Sequence, residues 1–297
     1  MKPFLNYVFL KIGRSSLWLA RRLDGHPKTD ALADPDHLLT LPGCEVIKNQ
    51  RKIKVARVPL EIGGQVKWIY VKRYNVFSWR YRLGSLFTRS GAVRSLAGAE
   101  TLKEAGFRTG EPVAAVEVRS AGILTKSFYL SEEISGGKTA DAYWREELLP
   151  VKGPGGFDRR RKFLKSLAEL FRSLHDARIY HNDLKDANIL VWAAHGQESF
   201  YLLDLEGIRK GRYLNPRRRV KNLVQLNRTF GTLLTASRRL FWFREYLGES
   251  FLRREERRRF VQEILSATGR KDRRKLKKKK RQESPRGSTF DKSQSAL

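Results

Sequence analysis

Ten residues from His181 read HNDLKDANIL, and a second short run, FYLLDLEG, follows over residues 200–207. Four side chains in these runs, Asp183, Lys185, Asn188 and Asp204, are of types that handle hydroxyl and phosphate groups. A carboxylate such as Asp183 can orient a hydroxyl and take its proton. Asn188 and Asp204 offer an amide and a carboxylate oxygen, hard ligands that suit magnesium while phosphate oxygens complete its shell. Lys185, two residues past Asp183, can offset charge developing on a transferring phosphoryl group. An aspartate before a strand is ordinarily a turn residue and a lone asparagine a surface amide, so the signal lies in their joint spacing. His181 reads as a brace for the loop, whereas His175 and His195 have no such neighbours and read as structural or exposed. No Cys and His cluster has zinc-ligand spacing.

This arrangement resembles the catalytic and metal-binding loops of the protein-kinase-like superfamily. That signature places an aspartate after His-x, an asparagine five positions later, and a metal-binding aspartate at the end of the next hairpin. Asp183, Asn188 and Asp204 fill those positions. The resemblance implies an α+β, two-lobed fold in which an N-terminal antiparallel sheet carries one main helix and the C-terminal lobe is mainly helical. It implies ATP and Mg2+ as cofactors, with Lys72, in WIYVKRY, pairing with nucleotide phosphates and Glu100 orienting Lys72. Glu104 is the alternative to Glu100. Glu132, Glu133 and Ile134 would form the hinge that offers backbone groups to adenine. Neither a GxGxxG loop nor a Walker A sequence is present, which excludes P-loop enzymes and leaves phosphate covering to a less regular loop at Lys48 to Lys52.

Flanking elements follow from local pattern. Residues 44–74 are rich in β-formers, and Gly63, Gly64 and Gln65 join IKVARVPLEI to VKWIYVKRY as a hairpin would. AVRSLAGAETLKEA, residues 92–105, reads as a helix stopping at Gly106. VAAVEV from Val113 and SFYLSEEI from Ser127 read as strands, and Gly136 and Gly137 mark a break between lobes. In FDRRRKFLKSLAELFRSLHDARI the apolar residues Phe163, Leu164, Leu167, Leu170, Phe171 and Leu174 recur at helical intervals under a basic face. The expected organisation is an N-terminal segment over 1–43, an N-lobe over 44–134, a C-lobe over 135–268 and a tail over 269–297.

The chain has 297 residues, enough for a sizeable core, and its single cysteine, Cys44, cannot form an intramolecular disulfide, which points to a reducing compartment. Sixty-one Lys and Arg against thirty-one Asp and Glu give a net charge of +30, which attracts nucleic acid, anionic membrane or anionic glycolipid. Residues 270–281, RKDRRKLKKKKR, hold ten cations and one acid, and with the polar stretch beyond them read as a disordered tail. No run approaches the apolar length of a spanning helix. PFLNYVFLKIGRSSLWLARRL, from Pro3, mixes apolar residues with Lys11, Arg14, Arg21 and Arg22 and suits either an amphipathic helix at an interface or a helix packed on the domain.

After the metal aspartate, neither an activation segment nor an Ala-Pro-Glu motif is visible, and about a dozen residues, IRKGRYLNPRRR, lead to VKNLVQLNRTFGTLL. A small-molecule or glycan hydroxyl is therefore favoured over a peptide. The order VKRY, a helix, EAGFRTGEPVA, SFYLSEEI, HNDLKDANIL, LLDLEG, NLVQLNRTF and RLFWFREYLG is similar to the lipopolysaccharide core kinases of Gram-negative bacteria, which phosphorylate Kdo or heptose, over roughly residues 45–250. The similarity implies a lipid-linked anionic glycan substrate, met at the cytoplasmic face of the inner membrane by a peripherally bound enzyme. The N-terminus, the basic surface and the polybasic tail would hold it there, and Arg217 to Arg219 would clamp the sugar's anionic groups. Alternatives are a Ser/Thr protein kinase, an aminoglycoside-like phosphotransferase, and a noncatalytic basic RNA-binding or scaffold protein on a kinase-like fold, the tail being its route to nucleic acid.

Overall fold

The computed structural model describes residues 4–25, 29–76, 78–194 and 196–283, so His195 lies outside the described residues. Strands β1 (Tyr7–Ile12), β2 (Ser15–Ala20), β3 (Glu45–Asn49), β4 (Ile53–Ile62), β5 (Gln65–Asn75), β7 (Pro112–Ser120) and β8 (Ile123–Glu132) make one sheet in the order β1-β2-β7-β8-β5-β4-β3. Every neighbouring pair in it is antiparallel. Short helices α1 (Thr29–Ala33) and α2 (Pro35–Leu38) link β2 to β3, and α3 (Trp79–Gly84) precedes the main helix α4 (Gly91–Glu104). The two-residue β6 (Arg108–Thr109) follows α4.

Alternation decides the sheet. Ile62 pairs with Gln65 across the Gly63–Gly64 turn, where both glycines have positive φ, the requirement of a tight hairpin. Along β5, Ile69 and Val71 are fully buried on one face, while Lys72 and Tyr74 share the other. On that second face the Tyr74 hydroxyl meets Ser95 Oγ of α4 at 2.8 Å. Ser90 caps α4 by accepting the Val93 N–H, and the helix buries Ala92, Leu96, Ala99 and Leu102.

Past Gly136 and Gly137 come β9 (Lys138–Thr139), α5 (Ala140–Tyr143) and α6 (Gly153–Asp176). Then follow β10 (Ile179–His181), β11 (Ile189–Ala194), β12 (Gln197–Leu202), β13 (Ile208–Lys210), α7 (Pro216–Arg228), α8 (Ala236–Leu247) and α9 (Arg254–Glu283). Phe163, Leu164, Leu167, Phe171 and Leu174 of α6 are buried as their spacing demands. They anchor an aromatic cluster in which Phe163 meets Trp144 and Phe230, and Phe171 meets Trp242 edge-on. A small sheet in the order β6-β12-β11-β9 ties the lobes together, and Thr109 donates to the Leu202 carbonyl within it.

Two expectations are corrected. The stretch read as an amphipathic helix at the start of the 1–43 segment is the β1–β2 hairpin, paired through β2 to β7 and therefore part of the N-lobe sheet. Leu17 and Leu19 face the core at period two, but Leu5 and Phe9 are exposed, so apolar residues on both faces hid the alternation. The second concerns the tail. Residues 269–283 continue α9, while 284–297 lie outside the described residues. Phe260, Val261 and Ile264 pack one side of this helix on the core, and Asp272 pairs with Arg228 of α7 at 2.8 Å. Lys and Arg are good helix formers, so a docked first half carries its basic extension with it.

Candidate active site

Two antiparallel pairs assemble the site. His181 at the end of β10 lies opposite Ile208 of β13, which sets the loop after His181 beside the loop before Ile208. The β11–β12 hairpin starts immediately after Asn188, and the Leu203 N–H donates to the Asn188 carbonyl at 2.9 Å. Asn188 and Asp204 therefore flank the open end of one hairpin. Asp204 has φ +58° and ψ +56°, a left-handed conformation that costs a non-glycine residue on the order of 1 kcal/mol and is concentrated at functional sites.

The loop from Asn182 to Asn188 is held from several sides. The buried His181 donates from Nε2 to the Leu203 carbonyl at 2.7 Å and accepts the Asp183 N–H at Nδ1, 3.1 Å. One partner is a carbonyl and the other an N–H, so the ring is the neutral Nε2–H tautomer. Burial is the largest cause holding its pKa below the ordinary imidazole value. Asn188 Nδ2 donates to the Asp183 carbonyl at 2.7 Å and to Asp183 Oδ2 at 3.2 Å, and Lys185 Nζ donates to Oδ2 at 2.6 Å.

From beneath, α7 supplies two polar side chains that sequence reasoning passed over. The fully buried Asn222 donates to the His181 carbonyl at 2.6 Å and to Gln225 Oε1 at 3.0 Å. Gln225 accepts the Leu184 N–H and donates to the Asn182 carbonyl at 2.7 Å. Asn222 Oδ1 lies 3.3 Å from His175 Nε2, whose ring meets Tyr246 OH at 2.8 Å. A signal was present: Asn222 interrupts the buried stripe Val220, Leu223, Val224 and Leu226. A polar residue in such a stripe must have a buried partner.

Lys72 reaches across the cleft to Asp204 Oδ1 at 2.5 Å. Burial opposes the charge of Lys72, but Tyr74 and Asp204 outweigh it and raise its pKa. Burial likewise works against the charged form of Asp204, and Lys72 overrides it to hold that carboxyl below its ordinary value. The expected Lys72–Glu100 pair is not made. Glu100 accepts from Asn6 Nδ2 at 2.9 Å instead, and Glu104 is exposed. The hairpin at the N-terminus explains the change, because it brings Asn6 over α4 and gives Glu100 a local partner.

The hinge residues also differ in what they offer. The Glu132 N–H donates to the Glu111 carbonyl and the Glu133 N–H to the Trp68 carbonyl, while their side chains pair with Lys67 and Arg57. Of the three, Ile134 has an N–H that no backbone carbonyl among the described residues engages. Lys48 to Lys52 span the end of β3 and the turn into β4.

In front of Asp183 and Asp204 lies an open cavity of about 600 Å³, lined also by Arg89, Arg94, Arg209, Arg218 and Tyr180. Glu206 also lines it and pairs with Arg94, 3.8 Å away, so Arg89, Arg209 and Arg218 are the lining arginines outside that pair and face Asp183 and Asp204. Of the triplet expected to clamp the substrate, only Arg218 lines this space; Arg219 pairs with Asp176, and Arg217 lines a separate groove between α7 and α9. Among the described residues no three His, Cys, Asp or Glu side chains cluster as a metal site. An amide and a carboxylate, Asn188 and Asp204, are a donor set that fits magnesium shared with a phosphate-bearing ligand and fits a softer metal poorly.

The family model of the lipopolysaccharide kinases (Kdo/WaaP) matches residues 48–245. Two relatives from Haemophilus influenzae, the 3-deoxy-D-manno-octulosonic acid kinases of strains PittEE and 86-028NP, are 31% and 30% identical over 155 residues. These matches cover 51% of this chain and 58% of each relative, less than two thirds of their length. A solved structure of WaaP in complex with acyl carrier protein aligns with a TM-score of 0.58 and 22% identity, covering 84% of this chain and 96% of that one, a likeness of fold.

Proposed function

This chain belongs to the lipopolysaccharide kinase (Kdo/WaaP) family, and on that premise we propose that it transfers the terminal phosphoryl group of ATP to a hydroxyl of Kdo in the lipopolysaccharide inner core, working at the cytoplasmic face of the inner membrane. The observation that carries this reading is the cavity that Asp183 lines together with Arg89, Arg209 and Arg218. Kdo is a sugar acid, and guanidinium groups pair bidentately with carboxylates. The two relatives' names point to the same acceptor.

Asp183 is assigned to orient the acceptor hydroxyl and receive its proton. Its second oxygen is fixed by Lys185 and Asn188, which leaves Oδ1, 3.4 Å from Gln225 Nε2, as the less tightly held atom. Lys185, already beside that carboxylate, is assigned to offset charge on the transferring group. Lys72 is assigned to the nucleotide phosphates, and Ile134 with the Glu132 end of β8 to the adenine edge. Asn188 and Asp204 would hold Mg2+, which when bound neutralises phosphate charge.

The test offers purified protein ATP with Kdo-bearing glycolipid, with heptose-bearing glycolipid and with general protein substrates, and maps the product phosphate by mass spectrometry. Asp183→Ala should lower turnover on the Kdo acceptor by about 10²–10⁴-fold, the usual worth of a positioned base. Asp204→Asn should abolish it, both variants keeping the urea midpoint of the parent. Retained turnover in Asp183→Ala refutes the assignment, and phosphate found only on heptose or on protein refutes the acceptor.

A further inference from the structure

The stretch expected to lie at a membrane is a hairpin in the sheet with Leu5 and Phe9 exposed, and a second part of the surface also presents apolar side chains to solvent. It is the segment between β5 and α4. Over residues 79–87 it carries four large apolar side chains, Trp79, Leu83, Leu86 and Phe87, which are 67%, 51%, 51% and 90% exposed. Among the described residues no helix is long and apolar enough to cross a bilayer.

These side chains stand on a fixed base. Ser85, between them, is buried; its Oγ donates to the Arg82 carbonyl at 2.6 Å and accepts the Leu124 N–H, and its carbonyl accepts from Arg119. The Phe87 and Thr88 N–H groups both donate to the Gly84 carbonyl. The backbone is thereby tied to β7 and β8 while Leu83, Leu86 and Phe87 project into solvent. A clustered apolar patch held outward in this way marks a binding surface.

Charge selects the partner. Arg82 lies within the patch and Arg89 two residues beyond Phe87, both exposed, on a chain of net charge +30. Apolar tips rimmed by arginine match the acyl and phosphate layers of an anionic bilayer. Position agrees, because Thr88 and Arg89, the next residues after Phe87, line the cavity that contains Asp183.

We propose that Leu83, Leu86 and Phe87 insert into an anionic membrane surface while Arg82 and Arg89 contact its phosphates, docking the chain with the Asp183 cavity at the lipid face. The choice of a lipid-linked acceptor rests on the function proposed above, but lipid binding itself requires no turnover and is measured separately. The full chain is co-sedimented with vesicles of phosphatidylcholine and phosphatidylglycerol at 3:1, and with pure phosphatidylcholine. Each apolar side chain of this size changes a partition constant by roughly tenfold. The triple variant Leu83→Ser/Leu86→Ser/Phe87→Ser should therefore bind anionic vesicles about a thousandfold more weakly. Its urea midpoint, and its turnover on a deacylated, water-soluble acceptor, should match the parent, while turnover on vesicle-embedded acceptor falls. Unchanged vesicle binding in the triple variant overturns the proposal. So does a parent dimer that the substitutions dissolve without any effect on lipid, which would assign the patch to a second copy of the chain. Should no sugar be phosphorylated by the parent while the triple variant still loses vesicle binding, the docking surface stands and the acceptor assignment falls.

Discussion

Gly98 sits in the interior of α4, where propensity alone says that alanine stabilises by about 1 kcal/mol. The structure says otherwise. A Cβ at this position would lie 2.2 Å from the Leu205 carbonyl oxygen, 3.1 Å from its carbon and 3.2 Å from Ile208 Cβ. The obstacle is backbone, so no rotamer change relieves it. Moving from 2.2 Å to the 3.0 Å below which Cβ contacts are essentially never seen requires about 0.8 Å of displacement between α4 and the Asp204–Leu205 loop. Overpacking of this kind costs about 1–3 kcal/mol. Set against the helical gain, the net loss of stability is only about 0–2 kcal/mol, so stability is the blunt readout.

Catalysis is the sharp one. Leu205 follows Asp204, whose Oδ1 is 2.5 Å from Lys72 Nζ, and a shift approaching 1 Å at reacting groups costs about 10²-fold in rate. Gly98→Ala is therefore expected to lower kcat by about 30–100-fold with a urea midpoint close to that of the parent. Gly155→Ala in α6, where a Cβ meets nothing within 4 Å, serves as the control and should be neutral in rate. Single-turnover transfer on the proposed Kdo acceptor and urea unfolding of both variants make the comparison. Parental kcat in Gly98→Ala, or an equal loss in Gly155→Ala, would refute the claim that α4 sets the position of Asp204 by direct contact.

Two further expectations concern the polar network under the loop. Burial above all, with the Arg219 charge adding to it and the Asn222 contact opposing, lowers the His175 pKa from 6.5 to about 4. The unfolded chain therefore binds this proton first, and stability present above pH 6.5 is lost as pH falls toward 4, by about 3 kcal/mol in total. Urea unfolding from pH 7 to 4.5 should show that slope in the parent and a shallower one in His175→Gln; parallel slopes would contradict it. Asn222→Ala leaves the His181 carbonyl and a His175 ring nitrogen without their buried partner, which costs on the order of 2–4 kcal/mol. It should lower kcat as well, because Gln225 loses the contact that aims it at Leu184 and Asn182; an unchanged rate in a destabilised variant would limit Asn222 to a folding role.

What could be read from the chain divides by the range over which the determining contact acts. The β4–β5 turn, α4 and its end near Gly106, and the α6 stripe are decided by residues within a few positions of each other, and their outlines were visible in the sequence. The order of Asp183, Asn188 and Asp204 was visible for the same reason, since one loop and one hairpin bring them together. Partner choice was not, because it depends on which segments meet. Lys72 and Asp204 are 132 residues apart, and Glu100 is withdrawn from the cleft by Asn6, 94 residues away on a hairpin whose exposed apolar face disguised its period. The basic run after residue 270 reads as disorder on composition alone, yet Asp272 reaches Arg228 only because Phe260, Val261 and Ile264 have already docked the preceding turns. In each case the composition was correct and the inference failed on an ordering contact outside the window. The same logic separates the N-terminal stretch from the proposed docking segment. Apolar and basic residues are interleaved in both places, and only the pairing of β2 with β7 at one and the anchoring of Ser85 at the other decide which side chains are left facing solvent.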